Sequence, residues 1–388
     1  MVTKDNAPVK LVSLISRMNV GGPAVLLSEF AARLVKSEFM HILVTGRCEA
    51  NEVDFLLNHA FDGQVIYLEE LSRSVSLRRD LLGWVQLRRL LKSLRPDILH
   101  THTSKAGLLG RTGALMLRRR PLIVHTYHGH LLYGYFPRWK SDLIVFCEKI
   151  LATFSDLLIA VSEQVRDDLL ARGIGNPAKW VVIHPGLDLP RTSSKSSARN
   201  KLGIDQNKFV ICWIGRFTDI KDPLLAVEVF IQLEKVSPNS FHFIMAGDGH
   251  LMSEAKARAT SATSKIEFPG WISDVNEILS ASDLLLMTSK NEGMPVVILE
   301  AAVRGVPTMS TDVGGVKDFI VDNKTGYLIR PSISEMVSKI IEVIGSSQHK
   351  YVAEEALKLV SESFSMTAYS SKHLEAYKRL VKAKLESE

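Results

Sequence analysis

Leu284-Leu-Leu-Met-Thr-Ser-Lys-Asn-Glu-Gly-Met-Pro-Val-Val-Ile-Leu-Glu300 holds a strand, a turn and the start of a helix in one short stretch. Leu284–Met287 is an uninterrupted apolar run of the length and character that a strand buried on both faces requires. Pro295 suits the first turn of a helix, where its fixed φ is pre-organised and its missing N–H is no loss. Gly293 and Met294 then lie where free backbone N–H groups point outward, which makes the turn an anion site. Glu292 stands on its approach loop, and Glu300 lies five residues beyond Pro295.

The same strand-then-helix alternation continues in both directions. Toward the N-terminus, strands are predicted near Leu11–Ile15, His41–Val44, Val65–Tyr67, Ile98–His100, Ile123–Thr126, Leu157–Val161 and Val181–Ile183. A polar, serine-rich stretch, Pro190 to Arg199, interrupts the pattern and reads as a surface connection. The alternation then restarts, with strands near Val210–Ile214, Phe243–Ala246, Ile266–Phe268, Leu284–Met287 and Thr308–Ser310. The fold class is therefore α/β, with two Rossmann-like domains expected to face each other across a cleft. The predicted domains are residues 1–187 and 188–364. Residues 365–388 form an amphipathic helix, with Leu374, Tyr377 and Val381 on one stripe, that could close on either domain and is assigned to the first.

At 388 residues and 46% hydrophobic content the chain can bury more than one core. Its net charge of +6 lies entirely in the first half: Met1 to Pro190 carries 24 Lys and Arg against 18 Asp and Glu, and the remainder is balanced. Such a bias steers anionic ligands or holds a face on anionic lipid, although ordinary solvated surface shows it too. Cys48, Cys147 and Cys212 are too few and too far apart for a disulfide framework and lack metal-ligand spacing, which suits a reducing cytoplasm. The opening MVTKDNAPVK has no apolar signal core, so export is not expected. Leu143 to Val161 is the longest apolar stretch, but Glu148, Lys149 and Asp156 would put three charges inside a membrane.

Three groups of residues carry candidate chemistry. The two glutamates flanking the Gly293-Met294-Pro295 turn would accept hydroxyl hydrogen bonds from both ends of a sugar nucleotide, the hexose and the ribose; two solvated glutamates on a surface helix show the same spacing. Trp213-Ile-Gly-Arg-Phe-Thr-Asp-Ile-Lys-Asp-Pro223 closes the first strand of the second domain. Ligands of open α/β sheets bind at the carboxyl ends of strands, so Gly215, Arg216 and Lys221 would meet phosphate there; the alternative is a surface loop whose charges pair with Asp219 and Asp222. In the first domain, Gly21-Gly22 permits close backbone approach to a ligand at the start of a helix. No Gly-x-Gly-x-x-Gly follows the first strand, which disfavours a dehydrogenase. His100-Thr-His-Thr-Ser-Lys-Ala-Gly107 and His125-Thr-Tyr-His-Gly-His130 follow strands at the same sheet edge. No carboxylate or cysteine accompanies them at zinc spacing, so substrate hydrogen bonding is favoured over metal, with structural roles open for His100 and His125.

Taken in order, these motifs resemble the group 1, or family 4, retaining glycosyltransferases of GT-B fold. The matching residues are Gly21-Gly22, His128-Gly-His130, Gly215-Arg216 with Lys221, Ala246-Gly-Asp-Gly249, Glu292 to Glu300, and Thr311-Asp-Val-Gly-Gly315. The resemblance implies catalytic roles for four residues: Glu292 touching the donor hexose, Arg216 and Lys221 neutralising the diphosphate, and His128 facing the transferred sugar. It implies donor binding by Gly21, Gly22, Gly215, Gly293, Met294, Pro295 and Glu300, the last holding the ribose, with Trp271 near the base. No metal cofactor is implied, in keeping with a sequence that contains no Asp-x-Asp to hold an ion on the phosphates. Asp318 stands where the family often has glutamate.

By the same resemblance the donor is a nucleotide-sugar, by default a UDP-sugar. The acceptor is a glycan or lipid-linked glycan of surface polysaccharide biosynthesis, and the configuration at the anomeric carbon is retained. The basic helix Leu77 to Arg95, Arg118-Arg-Arg120 and the aromatic stretch Tyr133 to Lys140 would fit peripheral contact with an anionic membrane on its cytoplasmic side. A helix packed on its own domain with solvated arginines fits the same pattern. No nucleic-acid readout module accompanies these charges. A sugar-nucleotide epimerase or hydrolase of the same fold, or a non-catalytic sugar-nucleotide binder, are the competing readings.

Overall fold

The computed structural model describes residues 8–19, 21–35, 37–49, 52–72, 76–129, 137–188, 193–260, 266–272, 274–346 and 348–387. The chain divides into two compact units, one of Met1–Gly186 with Met366–Glu388 and one of Leu187–Ser365.

In chain order, the first unit contains β1 (Val9–Ile15), α1 (Gly22–Leu34), β2 (Phe39–Thr45), β3 (Gln64–Tyr67), α2 (Leu77–Leu94), β4 (Ile98–His102), α3 (Ser104–Leu115), β5 (Leu122–Tyr127), α4 (Arg138–Phe154), β6 (Leu157–Ala160), α5 (Glu163–Ala171) and β7 (Trp180–Val182). Its seven strands form one parallel sheet in the order β3-β2-β1-β4-β5-β6-β7. The apolar runs predicted as strands are these strands, because a sheet covered by helices on both faces buries every second side chain as fully as its neighbours.

The second unit contains α6 (Lys195–Leu202), β8 (Phe209–Ile214), α7 (Pro223–Val236), β9 (Phe241–Ala246), α8 (Met252–Ala259), β10 (Ile266–Gly270), α9 (Asn276–Ala281), β11 (Leu284–Met287), α10 (Val296–Val303), β12 (Thr308–Thr311), β13 (Tyr327–Ile329), α11 (Ile333–Gly345) and α12 (Gln348–Ser363). Its six-stranded parallel sheet runs β10-β9-β8-β11-β12-β13. In both sheets the order reverses once, between β1 and β4 and between β8 and β11. The loops leaving those strands diverge and open a crevice at the carboxyl edge.

The last helix, α13 (Met366–Ser387), belongs to the first unit. Met366, Tyr369, Tyr377 and Val381 join Leu26 and Phe30 of α1 and Val9 and Leu11 of β1 in one buried cluster. Each such aliphatic side chain contributes about 1.5–3 kcal/mol on burial. Tyr377 also places its hydroxyl 2.6 Å from Nδ1 of His100, which ties the chain's end to β4.

The Pro190 to Arg199 stretch differs from its reading as an irregular connection. Residues 189–192 lie outside the described residues, but Ser194 caps α6 and Arg199 is buried, donating to Ala281 O at 3.0 Å and to Asp283 at 2.6 Å. A buried arginine in a serine-rich run hides its apolar stem from a composition argument.

Candidate functional site

In the second unit the crevice between β8 and β11 is built from three loops. The first, Gly215 to Asp222, is pressed against the loop after β9: Gly215 N–H donates to Ala246 O at 3.0 Å and Phe217 N–H to Asp248 O at 2.9 Å. A Cβ on Gly247, whose φ is +135°, would lie 1.9 Å from the Gly215 carbonyl, so only glycine permits this approach. Asp222, at φ +46°, caps α7 by accepting from Leu225 N–H, and Pro223 begins the helix.

The second loop, Thr288 to Pro295, is hydrogen-bonded to the first by Lys290 N–H to Ile220 O at 2.7 Å and by the Thr288 hydroxyl to Asp222 O at 2.7 Å. The third follows β12, where Gly314 at φ +52° would bring a Cβ within 1.9 Å of Glu292 O. Glu292 is thus held from both sides. Its carboxylate is buried, ion-paired with Lys221, and accepts from Ser289 Oγ at 2.6 Å, all on the single oxygen Oε1.

The charges of the first loop do not pair as a plain surface loop would pair them. Asp219 meets His250 at 2.8 Å and Asp222 meets Lys290 at 2.9 Å, while Lys221 turns to Glu292. The exposed guanidinium of Arg216 has no hydrogen bond or ion pair among the described residues. Gly293 and Met294 likewise have no acceptor for their N–H groups among those residues. Pro295 is the N-cap of α10 and Glu300 lies on its second turn. Burial raises the Glu300 carboxyl above the usual range, with Arg304 opposing and Asp274 adding to the shift. A desolvated carboxyl of this kind gains from hydroxyl donors. Trp271, just past β10, leaves its ring 40% exposed. Together the unit offers an unpaired guanidinium, a lysine, two free N–H groups and two carboxyls around one sheet edge, which suits a phosphate flanked by polyols.

In the first unit, Gly21 is the N-cap of α1 with φ 164°, an extended conformation open to any residue. A Cβ there would meet only Asn19 O, at 3.9 Å, so the protein's own packing does not demand glycine. Gly22 opens the helix. The histidines separate into two kinds. His100 and His125 are buried core residues, with His100 bonded to Tyr377 and to Thr126 Oγ1 at 2.7 Å and His125 to Thr101 Oγ1 at 2.8 Å. His102 and His128, at the carboxyl edge, pair with each other, Nδ1 of His102 lying 3.0 Å from Nε2 of His128. Burial lowers His128 to about 4 and His102 well below its ordinary value, so both rings are neutral near pH 7. His130 and Tyr133 to Phe136 lie outside the described residues. Among those described, no group of three or more His, Cys, Asp or Glu is placed to hold a metal ion.

Sequence reasoning did not single out Ser289 or Thr288, and it gave His102 only as part of the histidine-rich segment His100 to Gly107. Ser289 lay three residues before Glu292 on the same loop, but only the fold shows that its hydroxyl and Lys221 both donate to Oε1 of Glu292.

Two parallel Rossmann-like sheets on one chain are the hallmark of the GT-B glycosyltransferase fold. A family model described as Glycosyl transferases group 1 matches residues 194–359, and one described as Glycosyltransferase Family 4 matches residues 20–191. The UDP-Gal:alpha-D-GlcNAc-diphosphoundecaprenol alpha-1,3-galactosyltransferase of Escherichia coli is 30% identical over 87% of each chain. The capsular polysaccharide biosynthesis glycosyltransferase CapM of Staphylococcus aureus is 24% identical over 79% of this chain and 82% of that one. Among solved structures, Anabaena HepE in complex with UDP has a TM-score of 0.79 at 21% identity, covering 96% of this chain and 100% of that one. WaaG, a glycosyltransferase involved in lipopolysaccharide biosynthesis, has 0.74 at 16%, covering 94% and 98%. The chain belongs to the group 1, family 4 glycosyltransferases.

Proposed function

We propose that this glycosyltransferase moves a hexose or N-acetylhexosamine from a UDP-sugar to a lipid-linked glycan in surface polysaccharide biosynthesis, with retention and without a metal ion. The observation that carries the reading is the presence, on the loops of the β8/β11 edge, of a free Arg216 guanidinium and of the Lys221–Glu292 pair with its buried carboxylate. UDP as the nucleotide is supported by the UDP bound to HepE, and a lipid-linked acceptor by the diphosphoundecaprenol in the name of the E. coli relative.

In this reading Arg216 and Lys221 bind the diphosphate and stabilise the charge that grows on it as the glycosidic bond breaks. Cationic side chains then supply what a bridging metal supplies elsewhere. Glu292 orients the hexose, Glu300 holds the ribose hydroxyls, and Trp271 flanks the base. Within the first unit, the Gly21-Gly22 backbone and neutral His128 are the groups proposed for the sugar. The acceptor hydroxyl attacks on the face the phosphate leaves, and the departing phosphate oxygen takes its proton. The new glycosidic bond forms as the sugar–phosphate bond breaks, so configuration is retained. A lipid-linked acceptor places the enzyme peripherally on the cytoplasmic side of a membrane.

The test is calorimetric binding of UDP-, GDP- and ADP-sugars in EDTA to the wild type and to Arg216→Ala and Glu300→Ala. One nucleotide-sugar binding without metal, and weakened in both variants, supports the donor site. Binding that requires a divalent ion overturns it. Nucleotide release that depends on acceptor separates transfer from epimerisation or hydrolysis.

A further inference from the structure

Helix α4 is apolar on both of its faces. Val145, Leu151 and Ala152 face the first unit's interior, where both carboxylate oxygens of Glu148 accept from Nη2 of the buried Arg111. On the opposite side Trp139, Leu143, Phe146, Ile150 and Phe154 are exposed by 65, 56, 61, 45 and 45%. Their spacing of four, three, four and four residues lines them along one stripe of a straight helix about 25 Å long. This is the segment that read from sequence as the longest apolar run. It is no membrane span, since no helix among the described residues is long and apolar enough to cross a bilayer. An outward stripe of this size has no counterpart on an ordinary solvated helix, whose outer face is polar.

The surroundings of the stripe are strongly cationic. Residues 77–154, which hold α2, α3 and α4 packed side by side in one layer, carry 14 Lys and Arg against 4 Asp and Glu. Each of those four acids is matched by a base: Asp80 by Lys105, Asp97 by Arg119, Asp142 by Arg172 and Glu148 by Arg111. Exposed Arg88, Arg89 and Lys92 on α2, and Lys140 and Lys149 on α4, remain as net positive charge. A stripe of Trp, Phe, Leu and Ile with exposed Lys140 and Lys149 on its own helix, in a helix layer whose α2 adds exposed Arg88, Arg89 and Lys92, matches the headgroup–acyl boundary of an anionic bilayer.

We infer that α4 lies flat in the surface of an anionic membrane, with Trp139, Leu143, Phe146, Ile150 and Phe154 inserted below the headgroups and Arg88, Arg89, Lys92, Lys140 and Lys149 on the lipid phosphates. A second copy of the chain is a poorer occupant, because a two-fold interface would set this cationic surface against itself. A polyphosphate would leave the stripe unburied. The inference is consistent with the lipid-linked acceptor proposed above, but the binding it describes needs neither donor nor acceptor.

The experiment is co-sedimentation with vesicles of phosphatidylglycerol or of phosphatidylcholine, at low and high salt, without substrates. The expected result is binding to phosphatidylglycerol that survives in part at high salt, since the apolar stripe is not screened. Leu143→Glu with Phe146→Glu should weaken binding at least about tenfold, and Arg88→Glu with Arg89→Glu should remove mainly the salt-sensitive part. Bromolipid quenching of tryptophan fluorescence should disappear in Trp139→Phe. All these positions are exposed, so thermal melts and UDP-sugar affinity should match the wild type. Equal binding to both lipids, or wild-type binding by the Leu143/Phe146 variant, overturns the inference. So does a dimer that the Phe146 substitution dissociates in a protein that binds no vesicle. Vesicle binding without any sugar transfer would leave this inference standing and reject the proposed acceptor chemistry instead.

Discussion

Lys221 and Glu292, 71 residues apart on the loops after β8 and β11, form an ion pair whose carboxylate side is buried. The pair joins the two loops that flank the reversal in strand order, and Ser289 completes it on the same oxygen. Breaking a buried pair from one side leaves an uncompensated charge, whereas removing both partners leaves none. Lys221→Met alone should therefore cost about 1–3 kcal/mol in urea denaturation, discounted because Lys221 is partly exposed. Lys221→Met with Glu292→Gln should recover most of that loss but no activity, with turnover down by about two to three orders of magnitude. A double variant no more stable than the single one would show that the pair does not hold the loops together.

Glu300 bears on a different quantity. Its carboxyl is raised by burial and has no hydrogen-bond donor among the described residues. If it holds the ribose hydroxyls, Glu300→Ala should cost about 1.5–3 kcal/mol of UDP affinity measured by calorimetry, because hydrogen bonds to a charged group fall in that range. The loss should be the same for UDP and for the UDP-sugar, since both carry the ribose. A loss confined to the sugar-bearing donor would move Glu300 to the hexose end.

Much of the fold was legible in sequence because parallel strands buried on both faces are written as continuous apolar runs. Leu284–Met287 and Val210–Ile214 could hardly be anything else. What escaped had a physical reason in each case. Tyr327–Ile329, strand β13, is three residues long, below what periodicity resolves. Helix α6 is mostly polar, and its buried residues are Ala198 and the inward-folded Arg199. The apolar run that forms α4 gave no sign that half of its apolar residues face solvent, because composition reports hydrophobicity and not direction. At the β8/β11 edge, Arg216, Lys221, Glu292 and Glu300 were visible as residue types at suggestive spacings. Ser289 was not, since its significance lies in one contact with Glu292.

The first unit should be markedly acid-sensitive. His41, His100, His102, His125 and His373 are buried, with His41 and His373 lowered by burial to about 4 and the others also below the ordinary 6.5. The unfolded chain then binds protons that the folded one refuses. Stability is present in full above pH 6.5 and is lost as pH falls from 6.5 toward 4, by up to about 1.4 kcal/mol per pH unit for each such histidine. Among the histidines in the described residues of the second unit, only His242 is lowered. Hydrogen exchange at pH 7 and pH 5 should show protection falling much further in β1, β4 and β5 than in β8, β9 and β11. A parallel fall in both sheets would mean that the buried histidines do not govern acid stability.

Glycine substitutions distinguish residues that the fold requires from those that a ligand requires. Gly247→Ala and Gly314→Ala would each thrust a Cβ to within 1.9 Å of a carbonyl oxygen at a positive φ, so both should destabilise the second unit by more than about 2 kcal/mol. Gly21→Ala meets no such obstacle: its φ is 164° and the nearest protein atom is 3.9 Å away. Its effect on the thermal midpoint should be small and toward stabilisation, by up to about 1 kcal/mol from the reduced freedom of the unfolded chain. If the Gly21 backbone approaches the transferred sugar or its phosphate, the same methyl group should displace the donor, and transfer should fall at least about tenfold while Tm holds or rises. A Gly21→Ala enzyme with wild-type stability and wild-type turnover would remove this loop from the reaction and leave the first unit's contribution to His128 and its neighbours.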